Sequence, residues 1–171
     1  MISEKIGDIL DLQEGILVHG CNCQGVMGSG IAHSIRNRWP AVYDEYKRRH
    51  FAAGLFPGDV CFVGHAQLLE SIPILSRHIH GTTSQLPSRL VVANAMTQFE
   101  FGRDSTRIYV DYDAVSAAFS RIAIVARDSG LPIHFPLIGC GLANGQWVQV
   151  AQCIQAAVSP DANLTLWKLP T

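Results

Sequence analysis

Short apolar runs alternate along the chain with segments of helical periodicity. The runs predict five strands, over 16–19, 60–63, 90–93, 133–138 and 164–169. Apolar side chains recur at helical spacing from 115 to 126, between Asp111 as a predicted N-cap and Gly130 as a terminator. Further helices are predicted over 29–38, 41–50 and 148–158. This alternation indicates an α/β fold with a mixed central sheet covered by helices on both faces.

One stretch, from about 65 to 88, interrupts the pattern. It is rich in Pro, Ser, Thr and Gly and contains His78 and His80. This composition predicts an irregular surface loop or hairpin between two strands, with both histidines at the surface. No repeat or linker divides the chain. We therefore expect a single domain over 1–171 with an irregular insertion at about 65–88.

Composition narrows the function classes. The 171 residues, 48% of them apolar, suffice for one continuous core. A net charge of −1 gives no electrostatic reason to expect a nucleic-acid polymer as partner. No apolar run approaches the roughly 20 residues of a membrane span, and the N-terminal residues lack a signal-peptide pattern, so we expect a cytoplasmic protein without a membrane partner. Five scattered cysteines, an odd number, predict reduced thiols.

Two glycine-bearing loops each follow an apolar strand and precede a helix. One contains Gly25, Gly28 and Gly30, and the other contains Gly139 and Gly141. A strand, a glycine turn and a helix start together aim free backbone N–H groups and the positive end of the helix at an anion. Glycine also lets the backbone approach phosphate oxygens closely. Two such loops predict that a diphosphate is held between them, although ordinary βα turns would produce the same pattern.

Other sites are less well supported by the residues. A nicotinamide dinucleotide site is disfavoured, because the first loop reverses the usual glycine order and Glu45 lies in a predicted helix. His19, Cys21 and Cys23 alternate like three zinc ligands on one strand face, but no motif supplies a fourth ligand. Cys140 has no identified base and is interpreted as a small apolar filler. We expect no metal and no cofactor.

Three motifs follow one another along nearly the whole chain. They are Gly7-Asp8-Ile9, then His19-Gly20-Cys21-Asn22-Cys23-Gln24-Gly25 leading to Met27-Gly28-Ser29-Gly30-Ile31-Ala32, and finally Pro136-Leu137-Ile138-Gly139-Cys140-Gly141-Leu142 leading to Trp147. Together they resemble the macrodomain family, and within it the subgroup containing the terminal ADP-ribose glutamate hydrolases and the yeast ADP-ribose 1″-phosphate phosphatase. The resemblance implies a three-layer α/β/α macrodomain that binds ADP-ribose or a derivative, with ADP-ribosylated protein as a further expected partner.

The resemblance also implies which residues bind. Asp8 matches the family's acidic residue that accepts from the adenine amino group, with Ile9 beside it, and Asn22 matches the residue that holds the distal ribose hydroxyls. The diphosphate-binding segments match Gly28, Ser29, Gly30 and Ile31 in the first loop and Gly139, Cys140, Gly141, Leu142, Ala143 and Asn144 in the second. The residue types alone leave open a turn or cap role for Asp8 and an Asx turn at Asn22.

Two positions depart from the glutamate hydrolases. Their lysine after the middle strand falls at Gln98 and their aspartate at Ala143, and neither replacement forms a lysyl adduct or acts as a base. The yeast phosphatase also lacks both residues and carries a similar His-x-Cys-Asn-Cys strand end. We therefore expect His19 and Asn22 as catalytic residues, with His19 as acid or base. A buried histidine that only hydrogen-bonds within the core is the alternative.

The expected function follows from this subgroup. It is hydrolysis of ADP-ribose 1″-phosphate to ADP-ribose and phosphate. Two alternatives remain open: an ADP-ribose-binding module without turnover, and an ADP-ribosyl hydrolase whose mechanism does not use the lysine and aspartate pair.

Overall fold

The computed structural model describes residues 1–77 and 80–171. Within these residues the chain forms one sheet of seven strands, β1 (Ile2–Ile6), β2 (Glu14–Cys21), β3 (Val60–Gly64), β4 (Gly81–Thr82), β5 (Arg89–Met96), β6 (Ile133–Phe135) and β7 (Leu164–Lys168). Their order across the sheet is β1-β7-β6-β2-β5-β3-β4. β3 is antiparallel to β5 and the other pairs are parallel, so the sheet is mixed as predicted.

Five helices accompany the sheet in the described residues. They are α1 (Gly30–Arg38), α2 (Pro40–Ala53), α3 (Ala66–Ser71), α4 (Tyr112–Ser129) and α5 (Trp147–Ala157), with a short 3-10 turn at Ile9–Asp11. The Asp111 carboxylate accepts a hydrogen bond from the Ala114 N–H (3.0 Å), and Gly130 ends α4 in the left-handed region (φ 71°). Both predicted ends of α4 are confirmed. None of the described helices is both long and apolar enough to cross a membrane.

The two faces of the sheet are covered by different helices. Ile16 and Val18 of β2 pack in one cluster with residues of α4 and α5. Leu17, between them in sequence, packs in a second cluster with residues of α1 and α2. Alternate strand residues point to opposite faces, so β2 is buried on both sides. This arrangement confirms the predicted three-layer α/β/α fold.

Two strands were not predicted. β1 is almost entirely exposed along its length and has no apolar run, as is common for an edge strand. β4 has only two residues. Among the predicted strands, β6 is shorter than expected and ends at Phe135, just before Pro136, which has no N–H to donate to a neighbouring strand.

The described part of 65–88 does not lie loosely over the surface as its composition predicts. It forms α3 and β4, and four of its side chains, those of Leu69, Ile72, Leu75 and Leu86, are buried in the core. His80 is half-buried with its ring edge-on to Phe62 (centroids 5.9 Å apart), so its expected surface position is wrong. His78 lies outside the described residues. All five cysteines are free thiols, as predicted.

Candidate ligand-binding cleft

A cleft of about 1030 Å³ opens at the sheet edge where β2, β6 and β7 end. Parallel strands end at the same edge, so the loops that follow them meet there. We call residues 22–29 the Asn22 loop and residues 136–145 the glycine loop. Both line the cleft, together with the start of α1, a stretch after β5 and the end of β7. Its volume matches that of small-molecule sites in general.

Asn22 is held mainly by its own loop. Its Oδ1 accepts from the Gln24 N–H (2.9 Å), and its Nδ2 donates to the Val26 carbonyl (2.7 Å). The side chain therefore makes the Asx turn that the residue type alone left open. It borders the cleft and is only 8% exposed. One Nδ2 hydrogen remains for a ligand, because a carboxamide nitrogen has two.

The start of α1 offers backbone donors to the cleft. Ser29 precedes the helix in extended conformation and makes no side-chain cap bond, and Gly30 has a left-handed φ of 57°. First-turn N–H groups have no partner within a helix, and the helix dipole places positive charge at this end. Gly30, Ile31 and Ala32 all line the cleft. This end of α1 can therefore hold an anion.

Two carbonyls of the glycine loop accept hydrogen bonds from N–H groups of the same loop. The Gly145 N–H donates to the Gly139 carbonyl (2.7 Å), and the Asn144 N–H donates to the Gly141 carbonyl (3.0 Å). The N–H groups of Gly141 and Leu142 donate to no other residue that the structure describes. A Cβ at Gly141 would meet nothing within 4 Å. The loop thus presents backbone donors and open space to the cleft.

Asn144, predicted as a ligand-binding residue, does not line the cleft. Its Nδ2 donates to the carbonyls of Asp104 (3.0 Å) and Arg107 (2.7 Å), and its φ is 58°. The side chain therefore fastens the glycine loop to the segment that follows β5. The other five predicted residues of this loop, 139–143, do line the cleft.

The Gly7-Asp8-Ile9 motif lies beside the cleft and does not line it. Ile9 is buried in the core, and Asp8 Oδ1 accepts from the Leu10 N–H (2.9 Å) as a helix cap. Asp8 is exposed, and its second carboxylate oxygen has no partner among the described residues. The N–H of Gly7 donates to the carbonyl of Lys168, which lines the cleft, so Asp8 lies beside one end of it.

His19 is not brought to the cleft. Its side chain is fully buried between β2 and α2, with Nε2 2.5 Å from Asn94 Oδ1. Asn94 Nδ2 faces the Val42 carbonyl (3.4 Å), so Oδ1 accepts and the His19 proton is assigned to Nε2. Burial lowers the pKa of His19 to about 4, which keeps the ring neutral near pH 7. This placement matches the core-histidine alternative and leaves His19 without contact to a molecule in the cleft.

The polar side chains that line the cleft bind and position more readily than they transfer protons. They are Asn22, Ser29, Gln98, Arg103 and Lys168; the described lining residues include no carboxylate and no imidazole. Cys140 Sγ donates to the Ile138 carbonyl (3.3 Å), and burial raises the pKa of this thiol, so it stays protonated. No three His, Cys, Asp or Glu side chains converge on a metal position in 1–77 and 80–171.

Some lining residues are not among the ligand-binding residues predicted from the sequence. The end of β7 contributes Trp167, Lys168 and Leu169, and the stretch after β5 contributes Phe101, Gly102 and Arg103. The signal for β7 was available, because its carboxyl end must lie at the same edge as that of β2 if the sheet is parallel there. Gln98 and Ala143, the positions that depart from the glutamate hydrolases, also line the cleft.

Curated relatives resemble the chain over different lengths. An Aspergillus clavatus protein named ADP-ribose 1″-phosphate phosphatase is 45% identical over 47 residues, 27% of this chain and 24% of that protein. A Scheffersomyces stipitis protein of the same name is 26% identical over 141 residues, 77% of each chain. A Mycobacterium tuberculosis DNA ADP-ribosyl glycohydrolase is 23% identical over 98% of this chain and 42% of the relative. The chain thus aligns with about a quarter or less of the first curated relatives.

No protein-family model matches the chain. Among solved structures, a macrodomain protein from Streptomyces coelicolor superposes with a TM-score of 0.72 at 24% identity, over 98% of this chain and 99% of that one. Thermosipho africanus DarTG in complex with ADP-ribose gives 0.68 at 17% identity, over 98% of this chain and 42% of that one. Likeness at these identities establishes the fold. The chain therefore has the macrodomain fold, and the resemblance to macrodomains that its sequence predicts is confirmed.

Proposed function

We propose that this chain binds ADP-ribose in the cleft and hydrolyses ADP-ribose 1″-phosphate to ADP-ribose and phosphate. One observation carries the proposal. Two segments that offer backbone donors, the start of α1 and the glycine loop, line the same cleft. A diphosphate presents anionic oxygens to both at once. The names of the fungal relatives and the ADP-ribose complex of the Thermosipho protein support ADP-ribose as the diphosphate.

The two ends of the cleft suit the two ends of ADP-ribose. Asp8 lies beside the end formed by Lys168 and Leu169, where its free carboxylate oxygen can accept from the adenine amino group. The Leu169 side chain is exposed there and can cover the base. Asn22, next to α1, has one Nδ2 hydrogen for the distal ribose. In this orientation the 1″-phosphate is close to Asn22.

The proposed reaction needs positioning more than acid or base groups. Water attacks phosphorus, the bond from phosphorus to the C1″ oxygen breaks, and that oxygen takes a proton released by the water. Phosphoryl transfer of this kind depends mainly on orientation and on stabilising spread negative charge. Asn22, Gln98 and Arg103 line the cleft and can hold the phosphate and the water. His19 takes no part, because it is buried away from the cleft.

A second candidate is an ADP-ribose-binding module without turnover. The observation that favours it is the lack of a carboxylate or imidazole among the described residues of the cleft. Removal of ADP-ribose from glutamate is the least favoured activity, because Gln98 and Ala143 stand where the resemblance places the lysine and the aspartate.

The binding half is tested by calorimetry with ADP-ribose and AMP. ADP-ribose should bind at least tenfold more tightly, because AMP has one phosphate and no distal ribose for Asn22. Equal affinities would remove the two-loop arrangement as the basis of recognition.

The hydrolytic half is tested with ADP-ribose 1″-phosphate, O-acetyl-ADP-ribose and glutamate-linked ADP-ribosyl protein. Phosphate should appear from the first, and the third should stay intact. Arg103→Gln should lower turnover about tenfold or more through loss of a charged hydrogen bond, whereas Arg121→Gln, a control in an exposed ion pair with Asp59, should not. ADP-ribose binding without any turnover would establish the binding module, and rapid release from glutamate would contradict the argument from Gln98 and Ala143.

A further inference from the structure

The Asn22 loop rests on a buried tyrosine of α2. The hydroxyl of Tyr46 donates to the Asn22 carbonyl (2.7 Å), lies 3.0 Å from Asn22 Oδ1, and accepts from the Val26 N–H (3.1 Å). The Tyr46 side chain is completely buried. One hydroxyl therefore bridges both ends of the turn that presents Asn22 to the cleft.

We propose that Tyr46 is a positioning residue that orients Asn22 toward the distal ribose of the ligand. This inference rests on the proposed function. The side-chain bonds of Asn22 to Gln24 and Val26 fix its carboxamide relative to the turn. The Tyr46 hydroxyl holds the backbone of that turn at Asn22 and at Val26, and thereby sets where the remaining Nδ2 hydrogen lies relative to the cleft.

The surroundings of Tyr46 fix its ring. It packs in a buried cluster with the side chains of Cys21, Cys23, Met27, Leu55, Cys61 and Met96. Burial raises the pKa of Tyr46 well above its usual range, so the hydroxyl stays protonated and can donate at any neutral pH. Because this donor is rigid and stays protonated, Asn22 is already ordered before a ligand binds. The loss of conformational entropy on binding is therefore smaller.

Two neighbours of Tyr46 support the same loop. Lys47 Nζ donates to the Gly25 carbonyl (3.1 Å). A Cβ at Gly25 would lie 2.8 Å from the His50 ring, so α2 packs directly against the loop at this point. Tyr46 differs from both, because only its hydroxyl contacts Asn22 itself among these three side chains.

The test is Tyr46→Phe, with Tyr43→Phe as the matched control on the same helix. The Tyr43 hydroxyl makes no hydrogen bond with the described residues. Calorimetry is run with ADP-ribose and with ADP, which carries the diphosphate but no distal ribose. We expect Tyr46→Phe to weaken ADP-ribose about tenfold and ADP less than twofold. Tyr43→Phe should change neither.

The pathway through Asn22 is tested by a double-mutant cycle. In an Asn22→Ala background, Tyr46→Phe should cause no further loss of ADP-ribose affinity, because the group that it positions is gone. Equal weakening of ADP and ADP-ribose, or full additivity in the cycle, would overturn positioning through Asn22. Failure of the wild type to bind ADP-ribose would instead refute the proposed function, so the two failures are distinguishable.

Hydrogen exchange of the wild-type protein tests the contact between the Val26 N–H and the Tyr46 hydroxyl, and it does not require a folded variant. The Val26 amide should exchange its hydrogen with solvent at least tenfold more slowly than an unbonded loop amide, because it donates to Tyr46. An unprotected Val26 amide would overturn the proposal regardless of how Tyr46→Phe behaves.

Discussion

The two loops that line the cleft are held in different ways. The Asn22 loop is fastened by side chains that reach it from α2, chiefly Tyr46 and Lys47. The glycine loop is fastened by its own backbone bonds, by the close approach of Gly139 to Val110, and by one of its own side chains, that of Asn144. The supports of the Asn22 loop from α2 can be removed one polar atom at a time, whereas the fit of Gly139 against Val110 depends on the absence of a side chain. The same kind of substitution should therefore have different effects in the two loops.

The largest expected effect is a loss of stability in acid, which arises from the buried side chain of His19. His19 has a pKa of about 4 in the folded protein, against 6.5 for an ordinary histidine, so the unfolded chain binds the extra proton first. Its contribution to the free energy of unfolding is complete above pH 6.5 and is lost as the pH falls toward 4, by about 3 kcal/mol at most.

Urea unfolding of the wild type and of His19→Gln across this pH range checks the effect. The variant should show a flatter pH dependence, and His33→Gln, an exposed control on α1, should keep the wild-type slope. Identical slopes for the wild type and His19→Gln would contradict the buried neutral histidine.

The glycine loop offers a matched pair of substitutions. A Cβ at Gly139 would lie 2.6 Å from Val110 Cγ2, and the φ of 72° strains any other residue, so Gly139→Ala should lower the free energy of unfolding by about 2 kcal/mol. Gly141→Ala meets open space and should stay within about 0.5 kcal/mol of the wild type. Equal losses in urea unfolding would mean that steric fit does not hold this loop.

The smallest expected effect concerns the bond between the glycine loop and the 104–107 stretch. Asn144→Gly keeps a residue that accepts the φ of 58° but removes both hydrogen bonds to the Asp104 and Arg107 carbonyls. The free energy of unfolding should fall by about 1 kcal/mol. Asn144→Asp cannot donate either and should lose at least as much. Wild-type stability in both variants would show that the backbone alone holds the loop.

Most of the correct predictions depend on residues that are close to one another in the sequence. Apolar periodicity located five strands and four helices, and the cap and terminator of α4 depend only on Asp111 and Gly130 themselves. The placement of the Asn22 loop and the glycine loop at one cleft was also predictable, because the carboxyl ends of parallel strands lie at the same edge of the sheet. These features are determined by neighbours in sequence or by sheet geometry.

The predictions that failed depend on distant partners. Both faces of β2 are apolar, so the sequence could not tell that His19 faces α2 and Asn94, 75 residues away. Asn144 looked like a ligand donor, but its partners Asp104 and Arg107 lie 40 and 37 residues earlier. In 65–88, abundant turn residues masked the apolar side chains that fill the core.

The reversed direction of β3 separates two parts of the molecule. Because β3 runs against β5, its carboxyl end and the start of the segment after it lie at the sheet edge opposite the cleft. Residues inserted or deleted at that edge would not move the backbone that faces the ligand. The far edge can therefore vary in length, or accept a fused module, while recognition at the cleft is kept, so the fold can diversify at one end without giving up its chemistry at the other.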